Sequence, residues 1–164
     1  MNVKMVDGNR SPGPMIRAMW RKLSPLPGGK LLFSKAVGRA APYTGTIGAE
    51  VLDLRPGYAR VQMKDRKKVR NHLNSIHAVA LMNLAEATTG LAMSSGLPEG
   101  ARGILKGLQI DYLKKARGLL TAECEVEVLE STERRELEIV GEIKDLSGDV
   151  VARAIATWLV GPMK

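Results

Sequence analysis

The feature that most constrains the fold is a helical segment, residues 78–87, that is apolar on nearly every side. Within this segment only Asn83 and Glu86 are polar. A helix that is apolar all round is normally buried in the middle of a protein. Segments that alternate apolar and polar residues, which is typical of β-strands, lie before and after it. We therefore predict a long buried helix that is surrounded by a sheet.

The predicted strands flank this helix on both sides in the sequence. Two alternating segments, residues 47–52 and 59–63, are joined by turn-forming residues 55–58, and four more alternating segments follow the helix. The alternating glutamates within residues 121–127 and 136–142 are expected to form a solvated sheet face. Two short helices, residues 15–23 and 30–40, are predicted before the first strand. One antiparallel sheet wrapped around a single buried helix is an α+β architecture.

Length and cysteine content exclude several classes of protein. The 164 residues suffice for the core of one domain. The single cysteine, Cys124, cannot form an internal disulfide or a zinc cluster, which favours a reducing, cytoplasmic location. Two histidines, His72 and His77, are too few for a multi-histidine metal site, so no metal is predicted. The sequence contains no apolar run of about 18 residues and no apolar segment typical of a secretory signal.

The net charge of +8 is concentrated in residues 1–40 and 55–117. A basic surplus indicates an anionic partner, which could be nucleic acid, a membrane surface or a phosphorylated small molecule. With six aromatic residues and no nucleic-acid-binding motif, nucleic acid is not expected. The basic, amphipathic residues 15–23 fit peripheral contact with an anionic membrane or a cap on the sheet, and we favour the cap.

Glu86 is the residue that an apolar helix explains least. Burying an unpaired, ionised carboxylate costs several kcal/mol. Either Glu86 pairs with a base or faces a solvent gap, or it is a general base or nucleophile whose pKa is raised by desolvation.

Polar residues also cluster just before the helix, at Asn71, Asn74, Ser75 and His77. Asn71, Asn74 and Ser75 are common helix-cap types, and His77 could be a histidine at the helix start whose hydrogen bonds are made locally. They also fit an oxyanion-binding site, because the first-turn N–H groups have no partners within the helix and the helix dipole favours negative charge there. Both interpretations stay open at this point.

Helix geometry limits how His77 and Glu86 could act together. They are nine residues apart, which is ~13 Å along a helix and about half a revolution around it. One chain therefore cannot easily direct both side chains at one substrate atom. If both are catalytic, we expect a site shared between two subunits, with two such sites per symmetric dimer.

The stretch NHLNSIHAVALMNLAE, residues 71–86, resembles the hotdog-fold acyl-CoA thioesterases of the phenylacetyl-CoA thioesterase (PaaI-like) type. That family has Asn, five residues, His-Gly-Gly, and then Asp or Glu nine residues after the His. Here Asn71, His77 and Glu86 have the same spacing. Residues 110–118 and 146–152 are also similar, and the resemblance covers about residues 44–161. It implies a hotdog domain at 43–164 that follows a basic helical extension at 1–42.

The resemblance also implies roles for these residues. Glu86 would act as general base or nucleophile on the thioester carbonyl, and the backbone N–H of Ala78 would bind the oxyanion. Asn71 and His77 would orient water and substrate. No cofactor is implied beyond the coenzyme A moiety of the acyl-CoA substrate. Family members are homodimers or dimers of dimers with the site across the dimer interface.

The basic residues around the motif would then bind coenzyme A. Its phosphates need Lys or Arg at the mouth of a pocket, although a solvated basic loop is an alternative interpretation. The predicted substrate-binding residues are Asn74, Arg66, Lys67, Lys68, Arg70, Arg102 and Lys106.

The sequence departs from the family pattern in two ways. Ala78 and Val79 replace the two glycines, and residues 102–112 lack the hydroxyl that the family often has about eighteen residues after the acid. A non-catalytic acyl-CoA-binding or fatty-acyl-binding protein on the same fold is therefore the alternative to a thioesterase.

Overall fold

A long central helix lies inside a six-stranded antiparallel sheet, as the apolar segment predicts. The structure is a computed structural model and describes residues 11–163. Residues 1–10 of the predicted extension and Lys164 lie outside the described residues. The predicted α+β architecture, with two strands before the helix and four after it, is confirmed.

The helices are α1 (Pro12–Leu23), α2 (Gly29–Ala40), α3 (Pro42–Gly45) and α4 (Ala78–Ser95). The strands are β1 (Glu50–Arg55), β2 (Tyr58–Met63), β3 (Ala101–Tyr112), β4 (Leu120–Glu125), β5 (Arg135–Lys144) and β6 (Val150–Pro162). They pair in the order β1-β2-β4-β5-β6-β3, and a short 3₁₀ turn, Lys67–Val69, precedes α4. Between residues 11 and 163, no helix is long and apolar enough to cross a membrane.

Helix α4 continues through Gly90 and ends at Ser95, with Gly96 as its C-cap. Gly90 is explained by packing: a Cβ there would lie 3.2 Å from the ring of Trp158. The buried hydroxyls of Thr88 and Thr89 donate to backbone carbonyls one turn earlier, at 2.7 and 2.9 Å. The helix can therefore be buried without leaving these groups unpaired.

Strand β3 differs from its predicted pattern. A bulge between Leu105 and Gly107 shifts the register against β6. The sequence pattern predicts Ile104 on the same face as Leu108, Ile110 and Tyr112, but Ile104 faces the other way and is 51% exposed. The prediction for Ile104 is therefore wrong, because simple alternation does not account for an extra residue in the strand.

The glutamate rows form the solvated face that the sequence predicts, and most of them are paired with bases. The ion pairs across this face are Arg60–Glu123, Lys106–Glu136, Lys144–Glu142 and Arg153–Glu142. Exposed pairs of this kind contribute about 0–1 kcal/mol each. They explain the glutamates without a functional role.

The two N-terminal helices pack against the core. The Arg17 guanidinium donates to the carbonyl oxygens of Ser95 and Leu97, at 2.7 and 2.9 Å, where a cation complements the end of a helix. The rings of Trp20 and Phe33 meet edge to face at 5.0 Å, and Phe33 is fully buried. The apolar side of α1 thus lies on the core, as a cap would. The domain boundary at residue 42 stays a prediction.

One buried hydroxyl fastens α2 to the edge of the sheet. Ser34 Oγ accepts from the backbone N–H of Val51 at 2.8 Å and donates to Lys30 O at 2.7 Å. We expect Ser34→Ala to lower the free energy of unfolding by about 1–3 kcal/mol, because the Val51 N–H loses its buried acceptor. Urea denaturation measures this change. Lys30→Ala removes an exposed bond to the same strand and should cost less than about 0.5 kcal/mol; equal losses would contradict the argument.

Candidate active site

The loop before α4 is held in shape by Asn71. Its Oδ1 accepts from the backbone N–H groups of Leu73 and Ser75, at 2.9 and 3.2 Å, and from the Ser75 hydroxyl. Asn74 has a positive φ of 57°, a conformation that asparagine tolerates better than most residues. The carbonyl side of the Asn71 amide therefore organises the loop.

The first turn of α4 leaves one backbone donor free. The neutral His77 ring accepts from the Val79 N–H through Nδ1 at 3.1 Å, which leaves its proton on Nε2. His77 is thus the N-cap that one interpretation predicted. The Ala78 N–H has no acceptor within the described part of the chain. An open N–H at a helix N-terminus favours an anion or a developing oxyanion.

Glu86 lies in the third turn of α4 and is half-buried. Burial raises the pKa of its carboxyl, and a hydrogen bond from the Thr44 side chain opposes this by lowering it. None of the ion pairs among residues 11–163 includes Glu86. The predicted pairing with a base is therefore not found. A carboxylate with a raised pKa and no cation partner is suited to accept a proton.

The sequence did not point to Thr44. It lies in the short helix α3, 42 positions before Glu86, so no local spacing links the two residues. Asn83 fixes α3 against α4, because its Nδ2 donates to the Tyr43 carbonyl oxygen at 3.1 Å. The side chain that lowers the pKa of Glu86 thus comes from α3.

Thr44→Val should move the pH dependence of a reaction that needs ionised Glu86. The hydrogen bond lowers the pKa of Glu86, so its loss raises that pKa. We expect the acidic limb of the kcat/KM profile to move to higher pH. Thr44→Ser keeps the hydroxyl and should keep the wild-type profile. A valine variant with an unchanged limb would show that Thr44 does not act on Glu86.

The predicted catalytic residues do not all meet in one chain. Asn71, His77 and Ala78 lie together at the start of α4, whereas Glu86 is nine residues along the same continuous helix. That separation is ~13 Å along the axis. The structure thus agrees with the helix geometry that the sequence predicts.

Part of the predicted substrate-binding set gathers near His77. Lys68 and Arg70 line the same cleft as His77, with a volume of about 340 Å³. Arg70 pairs with Asp65 at 2.6 Å, and its guanidinium also contacts Asn74 Oδ1 at 3.4 Å. Lys67 lies next to Lys68 in the 3₁₀ turn and is exposed.

The remaining predicted cations lie elsewhere or are already bound. Arg66 donates to the carbonyl oxygen of Ile47, and Lys106 pairs with Glu136 on the outer face of the sheet. Arg102 lines a separate depression with Arg134, at the opposite end of β3 from Tyr112. One chain therefore does not bring Arg102 and Lys106 to the N-terminus of α4.

Residues 11–163 give little support for metal-dependent or cysteine-based catalysis. No group of three or more His, Cys, Asp or Glu residues lies close enough there to hold a metal ion. Burial raises the pKa of the Cys124 thiol to about 12, so it is protonated at neutral pH and is a poor nucleophile.

A central helix wrapped by this six-stranded sheet defines a hotdog-fold protein. The chain belongs to the family described as Domain of unknown function (DUF4442), whose model matches residues 29–160. No curated protein matches the chain.

Solved structures agree with this assignment. The chain is similar to APC5556, a structural-genomics protein, with a TM-score of 0.76 and 31% identity, covering 90% of this chain and 98% of that one. PA5026 from Pseudomonas aeruginosa, designated a "Probable Thioesterase", gives a TM-score of 0.70 and 23% identity over 84% and 97% of the two chains. A hypothetical thioesterase protein with coenzyme A from Streptococcus pneumoniae gives a TM-score of 0.59 and 24% identity, covering 71% of this chain and 90% of that one. The predicted resemblance to hotdog-fold thioesterases is confirmed.

Proposed function

We propose that the protein hydrolyses an acyl-CoA thioester. The observation that carries this proposal is the Glu86 carboxylate, which is half-buried, has no cation partner among the described residues and is the one charged side chain of helix α4. Two of the compared hotdog structures are designated thioesterases, and one of them contains coenzyme A. Both findings support a thioester as the substrate class.

The proposed mechanism uses Glu86 and the open end of α4. Ionised Glu86 takes a proton from water, and the oxygen of that water attacks the thioester carbonyl carbon. The charge that develops on the carbonyl oxygen is stabilised by the Ala78 N–H. When the C–S bond breaks, protonated Glu86 returns its proton to the sulfur, so the products are a carboxylic acid and the coenzyme A thiol. In the other route, the Glu86 carboxylate attacks the carbonyl carbon directly, and the C–S bond breaks to release the coenzyme A thiolate. Water then hydrolyses the mixed anhydride, which regenerates the Glu86 carboxylate and releases the carboxylic acid and the proton that the thiolate takes up.

A homodimer is part of this proposal, because Glu86 and Ala78 of one chain are too far apart to share a substrate atom. Strand β1, at one edge of the sheet, is covered by α2. Strand β3, at the other edge, is long and carries exposed Ile104 and Tyr112, and within residues 11–163 only β6 pairs with it. A long exposed edge is suited to pair with a second copy of the chain. A dimer of dimers stays a prediction.

The coenzyme A phosphates would contact the cations that are not already paired. Lys67 and Lys68 lie beside the N-terminus of α4. Arg102 lies at the start of β3, which is the end of that strand far from Tyr112 and α4's N-terminus. Antiparallel pairing of two β3 strands would bring Arg102 of one chain toward the start of α4 in the other. The predicted cytoplasmic location fits this substrate.

A thiol-release assay with acyl-CoA substrates of increasing chain length tests the proposed function. We expect the free coenzyme A thiol to appear at a rate that rises with protein concentration and saturates with substrate. Absence of thiol release from every chain length would contradict hydrolysis.

A non-catalytic acyl-CoA-binding protein is the second candidate. Val79 favours this function. It lies where the phenylacetyl-CoA thioesterases have glycine and is 48% exposed, so its side chain narrows the approach of a substrate to the Ala78 N–H. Melting temperatures that rise with acyl-CoA, without release of thiol, would support this function instead.

A further inference from the structure

A second, larger cleft lies between the N-terminal helices and the sheet. Its walls come from α2, α3, β1, β2 and the middle of α4, and its volume is about 810 Å³. Clefts of roughly 300–1,000 Å³ are the size that holds small molecules. Helix α2 belongs to the segment 1–42, for which the sequence predicts no chemistry.

The lining of this cleft is mainly apolar. The apolar side chains that α2, β1, β2 and α4 contribute are Leu31, Val37, Val51, Val61, Ala87 and Leu91. Two of the lining hydroxyls are already used within the protein: Ser34 bonds Lys30 and Val51, and Thr46 donates to the Tyr43 carbonyl oxygen at 2.6 Å. The third, Thr44, acts on Glu86. Few directional polar groups remain for a sugar or a nucleotide base. The chemistry of the walls favours an aliphatic chain.

The cleft lies next to the catalytic carboxylate proposed above, although Glu86 itself is not one of its lining residues. Thr44 lines the cleft, and the Thr44 side chain lowers the pKa of the Glu86 carboxyl. Ala87, the next residue of α4, also lines it. An aliphatic chain in the cleft would therefore have one end beside Glu86.

Among the described residues, the two charged side chains that line the cleft are both cationic. Lys35 and Arg39 lie one turn apart on α2 and are exposed. Neither takes part in an ion pair with another residue between 11 and 163. A ligand with negative charge outside an apolar chain complements this arrangement.

We infer that the cleft holds the acyl chain of the substrate, which is a long, straight-chain acyl-CoA. This inference rests on the proposed function and adds the class of acyl group. The apolar walls would cover the hydrocarbon, and the thioester would lie at the Thr44 end, within reach of Glu86. Lys35 and Arg39 would attract the anionic acyl-CoA toward the cleft, while its phosphates bind at Lys67 and Lys68 as proposed above.

Two neighbouring leucines on α2 provide a matched test. Leu31 lines the cleft and is 47% exposed, whereas Leu32 does not line it and is 52% exposed. We expect wild type to prefer dodecanoyl-CoA to acetyl-CoA. Leu31→Glu should lower kcat/KM for dodecanoyl-CoA by about tenfold or more, because a charge replaces apolar wall, and should change the value for acetyl-CoA by less than about twofold. Leu32→Glu, with the same change in charge, should leave both values near wild type.

Dodecanoyl-CoA binding to the Glu86→Gln variant distinguishes a wrong cleft assignment from a wrong proposed function. Suppose that Glu86→Gln binds dodecanoyl-CoA, that adding Leu31→Glu to it weakens this binding, and that wild type releases no thiol. The cleft assignment then stands and the proposed function fails. If wild type hydrolyses all chain lengths equally, or the two leucine variants behave alike, the cleft assignment is wrong while hydrolysis stands. Binding of free dodecanoate but not of dodecanoyl-CoA would also overturn the assignment to a thioester.

Discussion

Glu86→Gln is expected to lower kcat for acyl-CoA hydrolysis by about 10²–10⁴-fold, which is the contribution of a well-placed general base. Glutamine keeps nearly the size and shape of glutamate but cannot accept a proton from water. Burial raises the pKa of Glu86 and so makes it a stronger base near neutral pH than an exposed glutamate. The measurement is the rate of thiol release under saturating acyl-CoA, at a pH where wild type is fully active.

The stability of the same variant provides its control. Because burial raises the pKa of Glu86 in the folded state, the contribution of Glu86 to stability is full below its unfolded pKa and is lost as pH rises through its folded pKa. Glutamine has no such loss, so Glu86→Gln should be at least as stable as wild type at neutral pH. Lower kcat with unchanged or higher melting temperature supports a catalytic role. Residual activity close to wild type would exclude Glu86 as the base.

The architecture could be predicted because two strong periodicities agree with it. An apolar helix that must be buried and alternating strands on both sides of it leave few arrangements other than one sheet around one helix. The prediction was wrong where the backbone of a strand departs from simple alternation. Ile104 does not face inward, because β3 contains a bulge.

The candidate site could be predicted only where its residues are close in sequence. Asn71, His77 and Ala78 form one local unit at the start of α4, so their spacing identifies them. Thr44 contacts Glu86 only through the packing of α3 on α4, and no periodicity encodes such a contact. The same holds for the large cleft, since three separate segments of the chain form its walls.

The N-terminal segment connects these unpredicted features. Asn83 and Glu86 lie on α4 and both contact α3, one through the Tyr43 carbonyl oxygen and the other through the Thr44 side chain. Helix α2 in turn forms a wall of the cleft that Thr44 and Ala87 also line. Helix α2, which belongs to the basic N-terminal segment, thus packs against α3 and shares a cleft with α4.

Ala78→Pro is expected to lower kcat by about 10²–10³-fold, which is the usual effect of removing one oxyanion donor. Compared with alanine, proline lacks the backbone N–H that the proposed mechanism needs, yet it is favoured at the first position of a helix. The preceding residue, His77, has φ −66° and ψ 140°, a conformation that is compatible with a following proline. The Ala78 N–H has no acceptor among the described residues, so its loss should not lower the melting temperature. Ala78→Gly keeps the N–H and should retain wild-type kcat within about threefold; an active proline variant would exclude this donor.

Mixing the two inactive variants then tests whether the site is shared. In a dimer of one Glu86→Gln chain and one Ala78→Pro chain, one site combines the intact Glu86 with the intact Ala78 N–H, and the other site lacks both. Random pairing of equal amounts makes half of the dimers mixed, so co-expression should restore about one quarter of wild-type kcat per site. Two different affinity tags purify the mixed dimer, which should reach about one half. If the purified mixed dimer is no more active than the average of the two variants, Glu86 and Ala78 do not come from different subunits.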